Sequence, residues 1–143
     1  MADWMRVVVG VDGSAESEKA LRWAHDEARA HGAELLVVGI RVMLPVSPSP
    51  WGGFGWNADV VTNDDTQTVL DSSVRSVLGE GVAGVRTRVV DASPIAAALI
   101  EAAEGADLLV VGSRGHGAFA GMLLGSVSLH AVTHARCPVT VVR

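Results

Sequence analysis

Three scarcities narrow what this chain can be. Cys137 is the only cysteine, so an intrachain disulfide is impossible and a structural zinc site built on thiolates is not expected. Lys19 is the only lysine; a Walker A loop needs one beside its final serine or threonine, so that class of nucleotide hydrolase is excluded. No aspartate or glutamate follows Asp107. Long apolar runs are missing as well: stretches such as Leu35–Val38 and Leu108–Val111 fall far short of the roughly 20 residues of a membrane helix. The opening residues Met1–Arg6 have no cationic region leading into a long apolar stretch. No secretory signal is therefore read, and a cytoplasmic protein that neither spans nor binds a membrane is expected.

What is present describes a packed core. The 143 residues are 49% hydrophobic and 19% charged, a composition suited to one ordinary domain over residues 1–143, with no linker and no internal repeat. Eleven basic against sixteen acidic residues give a net charge of −5, which argues against a nucleic-acid binder held by phosphate contacts. The charge is unevenly spread. After Asp107 only Arg114, Arg136 and Arg143 carry charge, so residues 108–143 hold +3 and the first 107 hold −8. An anionic small ligand would be drawn to the C-terminal quarter.

Strand and helix signals alternate from end to end. Strands are expected at Arg6–Val11, Glu34–Val42, Val85–Val90, Asp107–Val111 and Pro138–Val142. Helices are expected at Glu16–His31, stopped by Gly32; at Asp65–Leu78; from the Ser93-Pro94 start to Gly105; and at Ser126–Ala135. Met43–Thr62 has no convincing period and reads as a long loop. Apolar strands alternating with amphipathic helices imply a doubly wound α/β domain, Rossmann-like, with a five-stranded parallel sheet covered on both faces. Such sheets bind ligands outside the carboxyl ends of the strands, where the winding reverses. Order 3-2-1-4-5 would set the Asp12-Gly13-Ser14 turn beside the Gly112-Ser113-Arg114-Gly115 turn.

The segment Gly112–Ser126 has five glycines in fifteen residues. Glycine lets backbone approach a ligand closely and turn main-chain N–H groups inward as an anion nest. The segment runs into a helix at Ser126, where free amides, the positive helix pole and a hydroxyl coincide. A phosphate fits there; the plainer alternative is a loop with a serine cap. Gly115-His116-Gly117-Ala118-Phe119-Ala120 matches the dinucleotide fingerprint formally, but the acid required about 20 residues later is missing, which disfavours a nicotinamide enzyme.

The spacing Gly112, two residues, Gly115, nine residues, Gly125-Ser126 resembles that of the nucleotide-binding universal stress proteins. Val9–Ser14, Val110–Gly115, Leu124–Val127 and Cys137–Val142 agree, so the resemblance spans nearly the whole chain apart from residues 43–62. It implies the same strand order and an adenine-nucleotide pocket. In that pocket Asp12 stands beside the nucleoside, the Ile40 backbone reads the adenine edge, and Val111 and Gly112 line ribose and base. Gly115, Gly125, Ser126 and Val127 hold phosphates, with a hydroxyl from Ser128 in addition. Contact from Arg114 is inferred from its charge alone. A carboxylate at Asp12 near a triphosphate implies Mg²⁺ between them, although Asp12 can also simply bond the turn amides at Gly13 and Ser14. The resemblance further implies a homodimer through Pro138–Val142, an exposed edge strand.

Other residues carry two readings. His130 and His134 have metal-ligand spacing but lack the glutamate of a zinc-protease helix and any obvious third ligand, although Cys137 is near in sequence; a solvated helix end is the more frequent reason for such a pair. His116 either touches phosphate or is an exposed loop residue, while His25 and His31 are expected at the surface. Trp51–Trp56 either covers a base, meets a partner or belongs to an insert without a role. With no catalytic constellation visible, the expected function is an adenine-nucleotide-binding (ATP, AMP or cyclic AMP) stress-response or signalling protein, capable at most of slow ATP hydrolysis. The alternatives are a nucleotide hydrolase or transferase using the same crevice, and a dimeric interaction protein without nucleotide.

Overall fold

In Arg6–Val11 (β1), Val7, Val8, Val9 and Val11 are all at most 2% exposed, as a central strand covered on both faces requires. The computed structural model describes residues 3–40, 63–80, 82–90, 95–113 and 125–143. After β1 come α1 (Ala15–His31), β2 (Glu34–Ile40), α2 (Asn63–Leu78), β3 (Val85–Val90), α3 (Ile95–Ala102), β4 (Leu108–Gly112), α4 (Ser126–His134) and β5 (Val139–Val142). All strand pairs are parallel and the sheet order is β3-β2-β1-β4-β5. This is the expected doubly wound Rossmann-like fold.

The pleat of β1 sorts the core into two halves. Val7, Val9 and Val11 face Leu21 and Ala24 of α1 and Leu70 of α2. Val8 faces the opposite way, in a cluster with Leu99 and Ala102 of α3 and Ala131 of α4. Alanines at positions 20, 24 and 28, all buried, let α1 lie close on the sheet. Its end is marked by Gly32 at φ 67°, where the Ala33 N–H reaches back to the Ala28 carbonyl at 2.8 Å.

Element ends depart slightly from the sequence reading. The first helix begins at Ala15, because Ser14 caps it by accepting from the Ser17 N–H at 3.2 Å. Helix α2 begins at Asn63, before its apolar period starts, and α4 stops at His134 with Ala135 already extended. The second strand is described to Ile40; residues 41–62, with the aromatic cluster, and the Ser93-Pro94 start lie outside the described residues. His25 corrects an expectation. Its side chain is only 14% exposed, beside the buried stripe at Ala24, whereas His31, 32% exposed, stacks on Trp4 with ring centroids 3.8 Å apart. Among the described residues no helix is long and apolar enough to cross a membrane.

Asp107, just before β4, ties the amino ends of two central strands together. Its Oδ2 accepts from the Met5 and Arg6 N–H groups at 2.7 and 2.9 Å, and its own N–H donates to the Arg6 carbonyl. Those two amides, Arg6 first, hold its carboxyl below the ordinary aspartate value of about 3.9. A lowered folded value means stability that is present above the unfolded value and is lost as pH falls through the folded one. Asp107→Ala is therefore expected to lower the urea midpoint at pH 7, with the gap to the parent closing below pH about 4. A gap that persisted unchanged at pH 3 would show that packing, not charge, is what Asp107 supplies.

Candidate functional site

The site begins where two strands part. Strand β1 stays paired with β2 as far as Val11↔Gly39, but with β4 only as far as Val9↔Val110. Beyond that point Val11 and Gly112 border a crevice at the carboxyl end of the sheet, at the switch of winding direction. This is where the sequence reading placed its ligand.

On the β1 side the chain turns into α1 through a closed hydrogen-bond network. Asp12 Oδ1 accepts from the Ser14 N–H at 2.9 Å, and Gly13 takes φ 83°, a left-handed conformation that suits glycine. Ser17 Oγ donates to the Ser14 carbonyl at 2.9 Å and accepts from the Asp12 N–H at 3.3 Å. The turn-holding role of Asp12 is thus realised toward Ser14. Ser17, 4% exposed, was missed as a site residue, although its spacing to Ala20, Leu21 and Ala24 put it on the buried face.

On the β4 side Val111 is 3% exposed and packs in the second core cluster, so its main chain is what borders the crevice. Gly112 allows a close approach. A Cβ at this position would lie 3.0 and 3.1 Å from the Glu16 backbone carbon and oxygen, so the first turn of α1 rests directly on the end of β4. Across β4 the sheet continues into β5, where the Ser113 N–H donates to the Val142 carbonyl at 2.8 Å.

The Ser113 carbonyl then organises the start of α4. It accepts from the Gly125 N–H at 2.6 Å and lies 3.0 Å from the Ser128 hydroxyl, which is also 2.9 Å from the Gly125 carbonyl. Residues 113 and 125 are thereby clamped together. Gly125 is the N-cap of α4 and no side chain caps it. Leu129 is the first residue whose N–H bonds within the helix, to Gly125 at 3.0 Å. The amides of Ser126, Val127 and Ser128 form the positive pole at the mouth of the crevice.

Among the expected site residues, Asp12 lies on the turn after β1, Val111 and Gly112 end β4, and Gly125, Ser126, Val127 and Ser128 lie at the start of α4, while Ile40 ends the neighbouring β2 and is paired with Val90. Arg114 and Gly115, with His116, lie outside the described residues. Ser128 differs from expectation in detail: it is 2% exposed with its hydroxyl on the two carbonyls, so it offers the crevice its main chain. Ser128→Ala should cost about 1 kcal/mol, because both carbonyls keep a main-chain donor. A thermal melt checks this, and a loss of several times that size would mean the clamp depends on the hydroxyl.

Among the described residues no group of three or more histidine, cysteine or acidic side chains could hold a metal. Cys137 is half-buried, and that burial is the main cause pushing its thiol pKa up, away from the thiolate character of reactive cysteines. An open groove of about 300 Å³ lined by Asp71, Val74, Arg75, Gly79 and Glu80 lies at the far end of α2, away from the crevice.

Comparison with known proteins identifies relatives of this arrangement. The model of the "Universal stress protein family" matches residues 4–143. A universal stress protein of Mycobacterium tuberculosis is 40% identical over 145 residues, covering 96% of this chain and 44% of the relative. One from Mycolicibacterium smegmatis is 40% identical over 146 residues, covering 96% and 45%. The chain thus spans less than half the length of these curated relatives. Among solved structures, a universal stress protein in complex with cyclic AMP superposes with a TM-score of 0.73 at 28% identity, covering 99% of this chain and 98% of that one. The Archaeoglobus fulgidus universal stress protein in complex with dAMP gives 0.64 at 25% identity, covering 99% and 100%.

Proposed function

The chain belongs to the universal stress protein family, and from that premise we propose that it binds an adenine nucleotide in the crevice between β1 and β4 as a stress-response or signalling protein. The observation that carries this reading is the uncapped N-terminus of α4 standing at the point where β1 and β4 part. Three main-chain amides and a helix pole there suit a phosphate, and Gly112 brings the backbone close. Relatives solved with cyclic AMP and with dAMP support the same ligand class. In this reading Ile40 presents its main chain to the base, Asp12 stands beside the nucleoside, and Gly115, Gly125, Ser126 and Val127 hold phosphate. Arg114 adds its charge. ATP would bring Mg²⁺ to offset the Asp12 carboxylate.

The protein acts by occupancy rather than rapid turnover, in the cytoplasm. It pairs with a second copy through β5. The two edges of the sheet support that choice: β3 exposes Arg86 and Arg88, charges that oppose edge pairing, whereas β5 presents Val139–Val142, half-buried and uncharged.

Calorimetric titration of the nucleotide-stripped protein with ATP and Mg²⁺, cyclic AMP, AMP and NAD tests the assignment. Binding of an adenine nucleotide at micromolar or tighter Kd is expected, with NAD weakest. No heat and an unchanged melting temperature with all four would overturn it. Turnover well above about 1 per second would instead indicate an enzyme.

A further inference from the structure

Ser17 lies on the buried face of α1, 4% exposed, in line with Ala20, Leu21, Ala24 and Ala28. Alanine fills three of those positions, and alanine is the better helix former. A buried hydroxyl at position 17 therefore has a reason beyond packing, and its hydrogen bonds supply one.

Capping alone does not account for it. Ser14 already caps α1 by accepting from the Ser17 N–H at 3.2 Å, and the Ser14 carbonyl already receives the Glu18 N–H at 3.1 Å. In the usual reciprocal cap, the third helical residue is a glutamate or glutamine that reaches back to the N–H of the cap residue. Here that N–H, of Ser14, goes to Asp12 Oδ1 at 2.9 Å. Ser17, the third helical residue, instead accepts from the Asp12 N–H at 3.3 Å while donating to the Ser14 carbonyl at 2.9 Å. Gly13 at φ 83° folds the chain back far enough for so short a side chain to reach it. Asp12 is thus held twice, through its main chain by Ser17 and through its carboxylate by Ser14. The preceding residue, Glu16, sets its backbone 3.0 Å from where a Cβ on Gly112 would lie, so the same turn spaces the β1 wall from the β4 wall.

We propose that Ser17 is a positioning residue of the crevice: its hydroxyl presets Asp12, and with it the nucleoside half of the site, and has no part in the phosphate half at α4. This rests on the adenine-nucleotide reading above. Ordering Asp12 before the ligand arrives lowers the cost of binding. Without the hydroxyl the ligand itself must order the turn, so affinity falls for whatever carries the nucleoside, by the same factor with phosphate or without it.

The test compares the nucleotide-stripped parent, Ser17→Ala and Ser73→Ala, the last being the same change at another buried helix position, in α2. Calorimetry gives Kd for AMP and competition against AMP gives it for adenosine, both without metal, beside a thermal melt of each variant. Ser17→Ala is expected to weaken AMP and adenosine alike, by about five- to tenfold, so that the affinity gained by adding the phosphate keeps the parent's ratio. Ser73→Ala should keep the parent's Kd for both ligands. A folded Ser17→Ala that binds AMP as the parent does would overturn the proposal. So would a reduced phosphate ratio, or an equal loss in Ser73→Ala, because either means that the hydroxyl supports the fold as a whole. A parent that binds neither ligand would instead bring down the nucleotide assignment itself, and this proposal with it.

Discussion

Placing aspartate at both Gly115 and Ser126 is expected to remove nucleotide binding while α4 stays folded. Ser126 is the first residue of α4, beside the N-cap Gly125, which has no side chain to cap the helix. A carboxylate there favours the helix pole by about 0.3–1 kcal/mol, so the substitution supports the helix as it repels the ligand. Unit charges 4 Å apart near a protein surface repel by about 4 kcal/mol, and even half of that corresponds to roughly thirtyfold in Kd. Two such charges take a micromolar ligand out of the measurable range. Calorimetry beside a thermal melt reads both halves of the expectation, with Ser126→Ala as the uncharged control. An unchanged Kd in the folded double variant would show that phosphate does not sit at the start of α4.

Gly112→Ala acts at the opposite wall. The added Cβ would meet the Glu16 backbone carbon at 3.0 Å and oxygen at 3.1 Å, and a main chain already fixed in the first turn of α1 cannot rotate away. The first turn must shift, straining the bonds among Asp12, Ser14 and Ser17. Overpacking of this kind costs about 1–3 kcal/mol, and nucleotide affinity should fall with it because the wall of the crevice moves. Gly39→Ala is the matched comparison. Its Cβ would also meet an atom at 3.0 Å, but that atom is Leu70 Cδ2, at the end of a side chain, so a smaller loss is expected. Urea unfolding of the two variants decides: equal losses would mean that the α1 turn gives as readily as a leucine tip.

The architecture was legible because its cause is local. Valines at 7, 8, 9 and 11 are buried on both faces of β1, and a strand with no polar face has few places other than the middle of a parallel sheet. Gly32 marked the C-terminal end of α1, since a left-handed stop depends on one residue and its near neighbours, whereas the Ser14 cap at the other end was not read. Arg86 and Arg88 on β3 are a local mark of an edge strand that the sequence reading did not use. Much of the site was less visible. The Ser113 carbonyl is a main-chain atom with no residue signature, and its meeting with Gly125 and Ser128 depends on how α4 docks. Likewise, the contact of Glu16 with Gly112 depends on how α1 crosses β4, an angle set by packing a hundred residues apart in sequence. Asp107 looked like the first residue of a strand; its carboxylate instead reaches the amides of another strand, an interaction between segments that no short motif records.

The 2.6 Å bond between Gly125 N and Ser113 O has a consequence for how this fold can diversify. Two residues with eleven others between them in sequence are thereby held at one point of the scaffold. Closing such a loop grows more costly only slowly with length, by about 0.6 kcal/mol for each doubling. A change in the number of residues between the two anchors is therefore expected to leave the sheet and α4 in register, so that the nucleotide contacts assigned to Arg114 and Gly115 can be altered separately from the stability of the scaffold.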